Sequence, residues 1–222
     1  MNPEQLSVVV DGGGPASLKI FFLMTALSLL PSIVLSMTSF VRIVIVMSFL
    51  RTAMGTPQLP PNPVLIGLSL FLSLFVMGGT IDRLNTDAVK PYLDDQITAS
   101  DAGERGSVII KDFIVPQTRG EDLALFYDLA NLPAPATVDD IPLRIAVPAF
   151  LVSELTTAFT MGLYIYVPLV IIDLLVASVL MSLGMMMVPP AMIALPLKLA
   201  VFLLADGWRL IIAALARSFH GA

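Results

Sequence analysis

"IIDLLVASVLMSLGMMMVPPAMIALPLKLAVFLLADGW", residues 171–208, is the stretch whose reading decides the fold. Two apolar runs meet at Gly184 and the Pro189–Pro190 pair, the residues that end one helix and open another. Asp173 and Lys198 are the charges nearest that corner. A corner that emerges from a membrane into water normally carries polar or charged residues, yet this one carries Met185, Met186 and Met187. The loop is expected at 184–190.

Working outward, the chain of 222 residues is 57% hydrophobic and 13% charged, with a mean hydropathy of +0.90. A soluble domain averages about 45–50% apolar and about 25% charged. The composition therefore predicts an all-α integral membrane protein. The absence of cysteine excludes disulfides and thiolate metal sites. The net charge of −5 comes with no basic tract for nucleic acid, and His220 is the single histidine. No HExxH or Ser-His arrangement occurs, and "DGGGP" at 11–15 lacks the Lys-Ser/Thr of a phosphate loop, so no catalytic, metal or cofactor site is expected.

Four apolar segments are long enough to cross a bilayer, for which about 20 helical residues suffice. They are Ile20–Val41, interrupted by Pro31; Pro63–Ile81; Ile145–Met187; and Val188–Leu215. The third is about twice the required length, so it must bend, break at Pro168 or stand outside the hydrocarbon, with a spanning stretch at 161–184. The expected organisation is a polar N-terminal segment at 1–17 and a first helical hairpin at 18–81. A small helical extracytoplasmic domain at 82–144 and a second hairpin at 145–222 follow. Residues 1–17 lack the charged start and apolar core of a signal peptide.

The first hairpin turns through "RTAMGTPQLPPNP", residues 51–63, whose four prolines and one glycine forbid a continuous helix. Arg42 and Arg51 are read as flanking that turn and marking it cytoplasmic, which puts the middle block outside. In that block "TRGEDLALFYDLANL", 118–132, predicts an amphipathic helix with Leu123, Phe126, Leu129 and Ala130 on one face. Thr118 and Glu121 suggest a capping box. The state of "SVIIKDFI", 107–114, stays open.

Glu154, Asp173, Lys198 and Asp206 lie in apolar company, where an ionised group costs about 2.5–3.5 kcal/mol even on a lenient scale. They need partners, from this chain or its neighbours, and Glu154 is the expected opposite number of Lys198. Lys198 and Asp206, eight residues apart, would be about 80° apart on one helix and unable to bond. A proton or ion relay through Glu154 and Asp173 would make the chain a self-contained transporter. An aspartyl dyad of Asp173 and Asp206 lacks the flanking glycines such enzymes carry. Neither is the principal reading, because no internal repeat of the transporter kind is visible.

Three adjacent methionines cannot share one helical face, so they belong on non-helical backbone. Such backbone survives at membrane depth only when buried in protein or lining a water-filled cavity. Methionine commonly fills gaps in cores. Contributed by several copies of one chain, however, a ring of pliable side chains would exclude ions and still deform around something larger. The expected role of Met185, Met186 and Met187 is a pore gasket.

Three stretches also carry a resemblance: "MTSFVRIVIVMSFLRTAMGTPQLPPNPVLIGLSLFL" at 37–72, "QTRGEDLALF" at 117–126, and the quoted 171–208. From about residue 18 onward the chain resembles the FliP family of flagellar type III protein export, with the SctR proteins of virulence injectisomes as counterparts. "GMMMVPP" with "LRTAMGTPQ" looks more like the flagellar branch. The resemblance implies a homo-oligomeric pore in the bacterial inner membrane, built with FliQ and FliR above FlhA and FlhB. Unfolded flagellar proteins would pass through it, and the middle domain would be periplasmic. It also implies a methionine loop at Met185, Met186 and Met187, and subunit-contact charges at Glu154, Asp173 and Lys198. Departures from the family pattern occur in "SELTTAF", where Thr156 replaces a lysine, in "PPNPV" and in "VMGGTID". The signal sequence many members carry is not seen at the N-terminus.

Overall fold

The computed structural model describes residues 15–56, 58–133, 135, 137–185 and 187–219. All regular structure among them is helical. In chain order the helices are α1 (Pro15–Ser36), α2 (Phe40–Met54), α3 (Asn62–Val76), α4 (Gly78–Leu84), a π-helical turn (Asn85–Val89) and α5 (Lys90–Leu93). There follow α6 (Ala99–Gln117), α7 (Gly120–Leu129), a 3₁₀ turn (Val138–Asp140), α8 (Leu143–Ser182), α9 (Pro190–Leu204) and α10 (Gly207–Arg217). Residues up to Ser36 form one compact unit and those from Met37 another. Of the expected polar segment 1–17, residues 1–14 lie outside the described residues, and Pro15 already opens α1. That helix is 22 residues long and carries Pro31 without ending.

The third apolar segment is a single 40-residue helix, α8, which passes through both Pro148 and Pro168. No break is made at Pro168. A proline inside a helix costs about 3 kcal/mol, but here Ile165, Tyr166 and Leu169 on either side of it pack into the main apolar cluster and hold the backbone in line. At 1.5 Å per residue α8 is about 60 Å long, twice a bilayer core. Among the described residues it is the one helix long and apolar enough to cross a membrane unaided. Within the unit from Met37 onward, two helix pairs meet the same test only jointly, each bent by 63° at its break: Asn62–Val76 with Gly78–Leu93, and Pro190–Leu204 with Gly207–Arg217.

The second break corrects a reading of the sequence. Helix α9 stops at Leu204, and Asp206 adopts the left-handed conformation with φ +50° before α10 begins. Lys198 and Asp206 therefore do not share a continuous helix, and their angular separation on one has no meaning.

Helix α2 packs on α8 and α3, and α9 packs back along α8. The buried face of α2 is Ile43, Val46, Met47, Leu50, Ala53 and Met54, the three- and four-residue recurrence of an amphipathic helix. Opposite it α8 offers small residues, Ala158 and Gly162. The approach is close at Gly162, where an added Cβ would lie 2.6 Å from Phe49 Cγ. The Phe49 ring also meets Phe159 edge-on at 5.2 Å. Ser39 and Ser73 join the start of α2 to the end of α3 through a buried 3.0 Å hydrogen bond.

In the middle block "SVIIKDFI" falls inside α6, and a second apolar cluster forms from Ile114, Tyr127, Ile141, Ile145, Ala146 and Phe150. The last three belong to α8, so the block completes its core on that helix. Two expectations are corrected. Helix α7 begins at Gly120, with Arg119 as N-cap, because Thr118 instead ends α6 and donates its hydroxyl to the Ile114 carbonyl at 2.7 Å. Glu121 pairs with Arg119 at 2.9 Å. Of the expected inward face Leu123 and Phe126 do pack on the second apolar cluster, but Leu129 and Ala130 are exposed, and Asp122 and Tyr127 are buried instead.

Capping boxes occur at Thr98–Asp101 and Thr137–Asp140. At the first, the Asp101 amide donates to Thr98 Oγ at 3.2 Å and the Thr98 amide donates to the Asp101 carboxylate at 3.1 Å. The Thr98 hydroxyl also donates to the Asp101 carboxylate at 2.8 Å, and this bond, with that from the Thr98 amide, holds the Asp101 pKa below the ordinary aspartate value.

Two predictions follow from this packing. Gly162→Leu is expected to lower the thermal midpoint of the detergent-solubilised chain by the equivalent of about 1–3 kcal/mol, the usual cost of overpacking. Phe49→Ala in the same chain should recover part of it, and an unchanged midpoint would contradict the close approach. A depressed carboxylate contributes stability above its unfolded pKa, about 3.9, and loses it as pH falls through the lower folded value. Asp101→Ala should therefore speed amide exchange at the start of α6 at pH 6, with the difference fading as pH drops below about 3.9.

Candidate functional site

Two features carry the chemistry: ion pairs enclosed by the helices, and the methionine turn. Arg42 is the third residue of α2 and lies on its buried face, one turn before Val46. Its Nε donates to Glu154 Oε2 at 2.9 Å and its Nη2 donates to Oε1. This two-pronged pairing is what a guanidinium fork makes with a carboxylate. Arg42 is 3% exposed and Glu154 0%, so water screens neither charge. Arg42 Nη1 further donates to the Ser218 carbonyl at 3.1 Å and to Ser218 Oγ at 3.0 Å.

The guanidinium carbon stands 3.8 Å from the centre of the Phe219 ring. That ring also stacks on Phe113, and Gln117 Nε2 donates to the Phe219 carbonyl at 2.9 Å. One arginine thus ties the start of α2, the middle of α8 and the segment after α10 together, with α6 added through Gln117.

The second pair lies nearer the turn. Lys198 Nζ donates to Asp173 Oδ2 and, at 3.0 Å, to the Ala53 carbonyl. Lys198 is buried, whereas the Asp173 side chain is 42% exposed. The expected Glu154–Lys198 partnership is not made within the chain, since each has a nearer partner. Asp206 and Arg209 sit 3.8 Å apart in the open.

Arg42 does not flank the 51–63 turn. It lies at the far end of α2, consumed by Glu154, and only Arg51 stands beside the turn, donating to Asn62 Oδ1. Arg42, Gln117 and Ser218 were not read as partners in the sequence. A signal for Arg42 was present, because it falls on the same helical stripe as Val46 and Leu50, and a cation on an apolar stripe requires a carboxylate.

At the corner, the Gly184 N–H donates to the Met181 carbonyl at 3.1 Å and the Met185 N–H to the Leu180 carbonyl at 3.0 Å. With Gly184 at φ +74°, this is the Schellman arrangement that satisfies the last carbonyls of α8. Pro190 then opens α9 at a position that needs no N–H donor. The root of the turn is packed: Val188 lies against Val176, Leu180 and Ala194. Its tip is not. Met187 is 97% exposed and Met185 43%. Met186 lies outside the described residues. Leaving one such side chain uncovered forgoes about 1.5–3 kcal/mol.

Helical structure throughout the described residues, a membrane-length apolar helix and buried charges paired inside the helix packing define a membrane-associated protein. The sequence model of the FliP family matches residues 23–215. The flagellar biosynthetic protein FliP of Pectobacterium carotovorum subsp. carotovorum is 51% identical over 204 residues, covering 92% of this chain and 79% of that one. That of Bacillus subtilis (strain 168) is 48% identical over 218 residues, covering 98% and 95%. That of Aquifex aeolicus (strain VF5) is 45% identical over 214 residues, covering 96% and 90%. The chain belongs to the FliP family.

The buried pairs generate two predictions. Arg42→Leu or Glu154→Leu alone strands one buried charge and should destabilise the fold by about 3–5 kcal/mol. The double variant Arg42→Leu with Glu154→Leu should recover most of the loss in thermal midpoint, and purely additive losses would argue against the pairing. For the second pair, Lys198→Glu should be rescued by Asp173→Lys and not by Glu154→Lys. Rescue by Glu154→Lys instead would mean that the two charges meet between chains.

Proposed function

We propose that this FliP-family chain is a core pore subunit of the flagellar type III protein export gate, a non-enzymatic homo-oligomer through which unfolded flagellar proteins cross the inner membrane. The observation that carries the reading is the methionine turn. Its root is anchored in packed helices while Met187 projects almost wholly uncovered. An apolar tip on a rigid stem seeks cover, and identical tips from neighbouring copies would supply it around a shared axis. Methionine suits the position because an unbranched thioether packs against its like and still yields. Met185, Met186 and Met187 are the gasket.

The two helical hairpins are α2 with α3 and α8 with α9, and the block from 82 to 144 stands as a periplasmic domain on the upper part of α8. Arg51, beside the 51–63 turn, places that turn on the cytoplasmic side. FliQ and FliR complete the pore, with FlhA and FlhB beneath it. Of the subunit-contact charges, Asp173 and Asp206 have exposed side chains to offer a neighbour, while Glu154 and Lys198 act through the partners that enclose them.

A self-contained transporter using Glu154 and Asp173 as a relay fits less well. Nineteen residues of helix, about 28 Å, separate them, and each is held by a different cation. The relatives compared above are flagellar, which favours the flagellar gate over the injectisome.

Replacing Met185, Met186 and Met187 together by alanine is expected to make the assembled gate leak small ions, read as a raised conductance across a planar bilayer or as a loss of growth in salt. An unaltered conductance in a gate of normal size would end the gasket reading.

A further inference from the structure

The turn between α2 and α3 borders two openings of opposite chemistry. In one, Arg51, Gln58 and Asn62 with two flanking prolines line an open pocket of about 410 Å³. Asn62 Oδ1 is occupied by Arg51 Nη1, which leaves the Asn62 amide nitrogen, the Gln58 amide and the rest of the guanidinium as donors. Among the described residues no carboxylate meets Arg51. The cations Arg42, Arg83, Arg119, Lys198 and Arg209, by contrast, each have one.

In the other, Met54, Leu59, Pro60, Phe202, Leu203 and Trp208 line an almost wholly apolar groove of about 290 Å³. Gln58, Leu59, Pro60 and Pro61 are consecutive, so the polar pocket and the apolar groove open within the same few residues. Leu59, in the groove lining, is exposed.

The geometry points to a binding site for one acidic phospholipid, its phosphate held by Arg51 and its acyl chain laid in the groove against Trp208. A guanidinium grips a phosphate diester with two parallel donors. A zwitterionic lipid brings the same phosphate together with a cation, for which the pocket has no carboxylate. The selectivity is therefore for anionic headgroups. Tryptophan suits the boundary between headgroup and hydrocarbon. The site does not depend on the chain being an export gate, only on its standing in a lipid bilayer.

Trp208 is the single tryptophan of the chain and reports on the groove directly. The full chain, purified and reconstituted in nanodiscs of unlabelled lipid, is titrated with phosphatidylglycerol or phosphatidylcholine brominated on the acyl chains. Half-maximal quenching of Trp208 is expected at a mole fraction about fivefold lower for the glycerol headgroup, the ratio one basic residue confers at an anionic surface. Arg51→Gln should erase that preference, Arg51→Lys should retain it in weakened form, and Arg209→Gln, beside the tryptophan, should leave it intact. Equal quenching by the two lipids would overturn the proposal, and that comparison needs no variant. So would a preference that survives Arg51→Gln, or one lost equally in Arg209→Gln. Relief of quenching by millimolar inorganic phosphate would assign the pocket to a free anion instead of a lipid.

Discussion

Everything in the second unit leans on one requirement: a charge taken out of water must meet an opposite charge in good geometry. Arg42 and Glu154 satisfy it with two parallel hydrogen bonds. The pair does more than cancel itself. The spare donors of the guanidinium hold the Ser218 carbonyl and hydroxyl, and its face carries the Phe219 ring. The segment after the last helix is thereby returned to the start of α2 and to α6. Apolar packing alone would let these helices slide or rotate against one another with little penalty. A fork of donors on a carboxylate does not.

Helix α8 is the element on which the others converge. Its upper part completes the core of the middle block through Ile145, Ala146 and Phe150, and its centre receives α2 across small residues. Its lower part is gripped by α9 through Lys198 and through Ala194, which lies with Val176 and Leu180. One rigid rod about 60 Å long, twice the thickness of a bilayer core, thus carries the middle block near one end and the methionine corner at the other. A hinge at Pro168 would decouple the two, and the packing of Ile165 and Leu169 supplies the reason none forms.

At the far end of that rod the chain turns without placing a single charge near the corner. The capping hydrogen bonds are all backbone, the root is apolar, and the tip is methionine. The turn at the other hairpin is the contrast: it presents an arginine, two amides and an adjoining greasy groove. Sulfur-bearing side chains suit contact with a neighbour that must sometimes give way. A cation among amides suits a fixed anion.

Much of this was readable in the order of residues. The apolar lengths predicted helices of bilayer size. The glycine and prolines predicted both corners, and the run of adjacent methionines predicted non-helical backbone at Met185 and Met187, where α8 has ended. These are local or compositional properties, set by backbone conformation and transfer free energy. Which charges meet was not readable. Glu154 with Lys198 was as reasonable on the page as Glu154 with Arg42, because pairing depends on helix rotation and on how far α2 slides along α8. Likewise Thr118 with Glu121 has the spacing of a capping box, and only the C-terminal bond of Thr118 to Ile114 in the preceding helix settles that it is used elsewhere. Sequence determined the elements and their punctuation, since these follow from each residue's own propensities. Tertiary structure decided partners and register, since those are chosen by the packing of faces far apart in the chain.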